Sequence, residues 1–187
     1  MKFITELENY IPYNEQEQID KEIMLYYAKN SSHILERKNH LVHMSASCWI
    51  LNPTHTKVLF AYHKIYQSWT WTGGHADGED DLLAVALKEA KEETGLTNIK
   101  VLSPHIFSIE NLCVNGHWKH NEYVTSHLHL NVTYLMEADE ADLLIVNEAE
   151  NNGLKWFTYD EALQASSEEW MNKMIFEKLI EKSKKGV

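Results

Sequence analysis

Apolar and polar positions recur along this chain with two different periods, and each change of period marks an element. Residues 14–29 (NEQEQIDKEIMLYYAK) open on Asn14, a helix-capping residue type, and space Ile19, Ile23, Met24 and Tyr27 so that they share one side, which predicts a short amphipathic helix. A polar stretch at Asn30, Ser31 and Ser32 follows. Residues 43–51 and 57–62 read as two strands of a hairpin about the turn Asn52-Pro53-Thr54-His55. After Gly73-Gly74 the helical period returns over 80–94, with Leu83, Leu87 and Ala90 as its apolar side. Gly95 stops it, because glycine takes a positive φ without a Cβ penalty. Asp77, Glu79, Asp80 and Asp81 gather at its start, where free N–H groups carry partial positive charge.

Residues 100–112 and 123–137 are strand-like and are separated by a loop containing the turn pair Asn115-Gly116. In the second, Leu128, Leu130, Val132 and Tyr134 alternate with His127, His129, Asn131 and Thr133, so one face should enter a core and the other form a polar wall. A short strand at 154–157 leads to helices at 158–164 and 167–182, the latter with Trp170, Met174, Ile175 and Leu179 on one side. Strands on both sides of a central helix, with more helices after them, give an α+β domain whose helices pack on a sheet. Residues 1–40 are expected to be a helical extension of a main body at 41–187, within one compact unit.

Composition narrows what such a domain can do. With 187 residues the chain can bury a core without disulfides or metals, and 44% hydrophobic with 24% charged residues is a globular balance. A net charge of −11 argues against polymeric nucleic acid as a partner, which needs clustered Lys and Arg, yet allows a phosphorylated small molecule bridged to carboxylates by cations. Cys48 and Cys113 lie in no metal or disulfide spacing and are expected to be buried, reduced thiols. Residues 1–10 carry Lys2, Glu6 and Glu8 rather than an apolar leader core, and no stretch reaches the roughly 18 apolar residues of a membrane span, so the cytoplasm is the expected location.

The chemistry concentrates in the central helix. Glu89, Glu92 and Glu93 fall within one arc of its surface at about 100° per residue. Bare, three such carboxylates repel one another; a hard divalent cation, Mg²⁺ or Mn²⁺, turns the repulsion into binding. Three glutamates alone fit a solvated helix face better than a metal site. The longer run GHADGEDDLLAVALKEAKEETGL, 74–96, resembles the signature of the Nudix hydrolase family: Gly, five residues, Glu, seven residues, Arg-Glu-aliphatic-x-Glu-Glu-x-Gly-aliphatic. Gly74 matches its leading glycine, and Lys88 through Leu96 match its closing run. Asp80 stands for the usual Glu and Lys88 for the usual Arg, keeping sign but losing reach or forked hydrogen bonding. The similarity extends over about 45–159.

That resemblance implies a Nudix-type α/β/α sandwich with a mixed sheet, and water attacking phosphorus in a small nucleoside-diphosphate-linked substrate. It implies Glu89, Glu92, Glu93 and the Gly73 carbonyl as metal ligands, with Glu92 and Glu93 catalytic, and allows a homodimer. The proton acceptor is expected in the loop before residue 154, where Glu148 is favoured over Glu150. His75, His127 and His129 are candidates for lining the substrate cleft. Zinc at His127, His129, His117 and His120 is disfavoured, since no cysteine or closed four-ligand spacing accompanies them. Trp71 could stack on a base, although core packing is the expected use of Trp69, Trp71 and Trp118. Two rival readings share the fold: an isopentenyl-diphosphate isomerase, for which neither cysteine has a suitable context, and a silent nucleotide sensor, which the intact carboxylates disfavour.

Overall fold

The computed structural model describes residues 1–119 and 121–185, so His120 lies outside the described residues. Helices α1 (Lys2–Asn9) and α2 (Glu15–Asn30) precede strands β1 (Val42–Leu51), β2 (Lys57–His63), β3 (Ser68–Thr70) and β4 (Thr72–His75). Helix α3 (Leu82–Thr94) is followed by β5 (Lys100–Val101), β6 (Ser108–Val114), β7 (His117–Lys119), β8 (Glu122–Val124), β9 (His127–Glu137) and β10 (Asn151–Thr158). The chain closes on α4 (Tyr159–Ala165) and on α5 (Glu169–Met171), which runs through a π turn (Asn172–Phe176) into α6 (Glu177–Lys184).

Strand alternation explains how these elements stack. Parallel pairing of β1 with β9 brings Val42 beside Leu128 and Leu51 beside Glu137. Val42, Met44, Ala46, Cys48 and Ile50 of β1 then share a face with Leu130, Val132, Tyr134 and Met136 of β9, and this face packs on Leu82, Val85, Ala86 and Ala90 of α3. Trp49, Leu51 and Leu135 point the other way, onto Ile175, Phe176 and Leu179 of the C-terminal helical segment. The sheet is mixed, in the order β10-β2-β1-β9-β5, with β3 added to β2, β4 to β1 and β6 to β9. Helices on both faces make the anticipated sandwich.

Local chemistry sets the helix ends. The Asn14 side chain accepts from the Glu17 N–H at 3.0 Å, Asp81 accepts from the Ala84 N–H at 3.2 Å, and Thr158 forms a capping box with Glu161. Helix α3 therefore starts just after the acidic cluster, leaving Asp80 outside it to accept the Lys2 backbone N–H. Gly95 closes it in the left-handed conformation, φ 71°.

Several expectations need correction. The strand anticipated over 100–112 is two pieces, β5 and β6, and the second hairpin is β7 with β8, beyond Asn115-Gly116 rather than about it. Its Trp118 is exposed, so the expected core packing fails there. The helix anticipated over 167–182 contains a π turn, whose extra residue rotates the stripe and leaves Trp170 in solvent. On α2, Ile19 and Ile23 are exposed while Glu17, Met24 and Ala28 are buried, because α1, absent from the periodic reading, packs against the helix and contributes Phe3 and Leu7 to the same core. Cys48 is buried, with its thiol donating to the Ala86 carbonyl, but Cys113 is exposed. Among the described residues, no helix is long and apolar enough to cross a membrane.

Candidate active site

Ala86 and Ala90 let α3 lie close against the sheet, and this contact sinks the helix's acidic end beside β4. Glu93 is withdrawn from water, only 4% exposed. One of its oxygens accepts from the Gly73 N–H at 2.8 Å and the other from the Asn151 side-chain amide at 2.7 Å. Burial nevertheless pushes its carboxyl up to about 7, and the charges of Glu150 and Glu89 push the same way against those two hydrogen bonds.

Glu89 is half-buried, and its carboxylate occupies the space above Gly74. A Cβ built on Gly74 would lie 2.6 Å and 2.8 Å from the two Glu89 oxygens, so glycine is required there by close approach rather than by backbone angle. Burial raises the Glu89 carboxyl, Lys88 lowers it, and Glu92 and Glu150 raise it again. Glu92 faces solvent, its side chain 54% exposed and 3.4 Å from the Lys88 ammonium. Lys88 also lies 3.7 Å from Glu89 but is itself largely exposed, and its ion pairs are with Glu89 and Glu92 rather than Glu93.

The loop before β10 completes the acidic group. Lys64 holds it, donating its backbone N–H to the Glu150 carbonyl at 3.0 Å and its ammonium to the Glu148 carbonyl. Of these two exposed acids, Glu150 is the one whose charge acts on both Glu89 and Glu93. Glu148, favoured from sequence, is exposed, and its carbonyl accepts from the Lys64 ammonium. Glu89, Glu92, Glu93 and Glu150 thus form one charged neighbourhood beside the Gly73 backbone, coupled through their charges and through the Gly73 N–H on Glu93. Carboxylate oxygens are the hard donors that Mg²⁺ and Mn²⁺ prefer, although among the described residues the group whose ligand atoms all lie within 4.8 Å of one another is His43, His75 and His129 rather than the acids.

The polar faces of β1, β4 and β9 point away from α3. There His43, His75, His127 and His129 cluster, with His75 Nε2 3.2 Å and His127 Nε2 3.0 Å from His129 Nε2. His43 stacks on this group, its ring centroid 4.9 Å from those of both His127 and His129. Burial lowers the His129 imidazole to about 2, helped by the charges the other rings would carry, and burial also lowers that of His43. Ser45 and Ser47 continue the polar face, both donating to Asn131 Oδ1, whose amide donates to Glu110 at 3.1 Å. His127 and His129 are legible in the sequence as a polar wall, and His75 as a neighbour of the glycines. His43 is not, because its place beside His129 depends on a parallel register between distant strands. Trp71 takes no part in this wall: it is buried in the second core, edge-on to Phe176 at 5.6 Å, which corrects the stacking role considered for it.

Two open surface hollows, of about 300 and 390 Å³, lie elsewhere, one lined by Pro53, Lys100 and Glu137 and the other by His55, Tyr159 and Lys184. Neither includes a residue of the acidic group.

The family model described as NUDIX domain matches residues 41–177. The fold is similar to a C. elegans Ap4A hydrolase, with 17% identity over 76% of this chain and 95% of that one at a TM-score of 0.50. It is similar to a NUDIX family hydrolase from Clostridium perfringens, with 22% identity, coverage of 73% and 95%, and a TM-score of 0.54. The E. coli dihydroneopterin triphosphate pyrophosphohydrolase gives 15% identity, coverage of 73% and 94%, and a TM-score of 0.56. At such identities the likeness is one of fold. No curated protein matches the chain significantly.

Proposed function

The chain belongs to the Nudix hydrolase family, and on that premise we propose that it cleaves a phosphoanhydride bond of a small nucleoside-diphosphate-linked substrate with Mg²⁺ or Mn²⁺ held by α3. The observation that carries this reading is Glu93: a buried carboxylate beside two further acids, hydrogen-bonded only by neutral groups. A fold seldom retains such a group without a cation to meet it. Glu89, Glu92 and Glu93 would hold the ion, and the Gly73 carbonyl is the backbone ligand. Bound there, a divalent cation supplies shielding of the diphosphate charge and a lowered pKa for the attacking water.

The chain's own groups do the remainder. Gly73 N–H and Asn151 fix the Glu93 carboxylate so that it need not reorganise when a ligand arrives. Gly74 leaves room for Glu89 to turn toward the groove. Glu150 replaces Glu148 as the preferred proton acceptor, because its charge is felt by both Glu89 and Glu93. His75, His127 and His129, considered as cleft-lining residues, lie on the sheet face turned away from α3 and take no part in this chemistry. This reading includes a small-molecule diphosphate partner and cytoplasmic residence, and it allows a homodimer.

The test is turnover of nucleoside diphosphate sugars, dinucleoside polyphosphates, pterin triphosphates and oxidised nucleotides with Mg²⁺, read as phosphate released by an added phosphatase. Cleavage of at least one, slowed at least about 100-fold by Glu92→Gln and by Glu93→Gln, is the expected result. Rates unchanged in both variants would remove the ligand assignment, and metal binding with no turnover of any compound would favour a sensor.

A further inference from the structure

The histidine cluster lies on the opposite face of the sheet from the acidic trio and is not needed by the chemistry proposed for it. We propose that His43, His75 and His129, with His127 stacked beside them, form a second metal site that binds a borderline transition ion, Zn²⁺.

Hydrogen bonding among the rings gives the first reason. His127 Nδ1 lies 2.8 Å from the Thr125 carbonyl and His43 Nδ1 lies 3.0 Å from the Asn39 carbonyl. A carbonyl only accepts, so in both rings Nδ1 carries the proton, and in the neutral ring Nε2 then presents a lone pair. Backbone carbonyls orienting Nδ1–H in this way are the usual outer support of metal-bound histidines. His43, only 4% exposed, has a buried Nε2 with no hydrogen-bond partner among the described residues. His129 Nε2 meets both His75 Nε2 and His127 Nε2 within 3.2 Å. A neutral ring nitrogen has either one proton or one lone pair there, and cannot satisfy both neighbours well. A cation at the centre satisfies all of them.

Distance and softness agree. One nitrogen from each of His43, His75 and His129 lies within 4.8 Å of the other two. Ligands about 2.0–2.1 Å from a tetrahedral ion stand roughly 3.4 Å apart, close to the 3.2 Å between His75 Nε2 and His129 Nε2. Imidazole selects zinc-like ions over Mg²⁺, which prefers oxygen, so the two sites would sort their metals by chemistry. Three strands meet here: β1 supplies His43, β4 His75 and β9 His127 and His129. An ion at this point would pin β4 in place, and β4 carries Gly73 and Gly74 on the acidic side.

The experiment strips the full chain with a chelator, titrates it with Zn²⁺ alone by calorimetry, and counts retained metal after gel filtration in excess Mg²⁺. The expected result is one Zn²⁺ per chain, unaffected by Mg²⁺ or by Glu93→Gln, with affinity weakened about 100-fold or more in His75→Gln and in His129→Gln. No retained zinc, equal retention in the histidine variants, or loss in Glu93→Gln would overturn the proposal. X-ray absorption of the zinc-loaded unaltered protein gives a second readout that does not depend on variants folding. Three or more imidazole nitrogens at about 2.0–2.1 Å support the site, and an oxygen-dominated shell refutes it.

Discussion

Glu17 on α2 and Glu93 on α3 are both removed from water, at 0% and 4% exposure, yet their surroundings treat them in opposite ways. Glu17 accepts from the Tyr10 hydroxyl at 2.6 Å, the Tyr13 N–H at 2.7 Å and the Ser108 hydroxyl at 2.8 Å. It also faces the ammonium groups of Lys178 and Lys182 at 3.2 and 3.1 Å. Burial alone would raise its carboxyl, but the two lysines and the hydrogen bonds outweigh that and hold it down to about 2. Glu93 receives two neutral donors and two acidic neighbours, and burial leaves it at about 7. The same side chain is thus a finished ion pair in one place and an unfinished one in the other. The fold spends its buried cations where α2 meets α6, and leaves the acidic end of α3 to be completed by an ion from solution.

Four measurements break or sharpen that contrast. Lys178→Met should be the most damaging, since Lys178 also lies 3.1 Å from buried Glu110, and stranding a buried charge costs about 3–5 kcal/mol; urea unfolding at neutral pH would show it. If the loss is under about 1 kcal/mol, the Glu17 cluster is not the compensated site described here. Glu93→Gln should leave that stability nearly intact while lowering metal-dependent kcat/KM about 10²–10³-fold, some 3–4 kcal/mol of barrier. A variant that unfolds but still turns over would reverse the roles of the two glutamates.

Acid should then distinguish them. Because Glu17 sits below its ordinary value of 4.5 in the folded chain, its ionised form contributes stability that is complete above about pH 4.5. That contribution, on the order of 3 kcal/mol, is lost as pH falls toward about 2. Unfolding free energies measured across this window should slope downward in the unaltered chain and flatten in Glu17→Gln. Gly74→Ala should have the smallest effect, about 10-fold in kcat/KM with the fold retained, because the new methyl displaces only the Glu89 carboxylate. Activity equal to that of the unaltered chain would show that Glu89 has freedom the close approach denies.

Features that depend on near neighbours along the chain are legible in the sequence itself. Asn14 as a cap, the β1–β2 hairpin, α3 ending at Gly95 and the alternation of β9 all rest on local geometry. So does the placing of Glu89, Glu92 and Glu93 on one arc. Features set by distant pairing are not legible in this way. Glu17 has the sequence context of an ordinary helix-surface acid, because Lys178 and Lys182, which neutralise it, come from the far end of the chain. His43 carries no local sign of meeting His129, and no local feature marks Glu150 rather than Glu148 as the acid whose charge reaches Glu89 and Glu93. Trp170 leaves its expected stripe because one π turn resets the phase of a helix.

The Glu17–Lys178–Lys182 contact also bears on how the protein can be shortened. Its three charged members all fall outside 41–177, the stretch shared with the family. Trimming to that stretch would remove both halves of the clasp at once while leaving Glu110 without its cation. A minimal catalytic fragment therefore has to keep both flanks, or lose Glu110 as well.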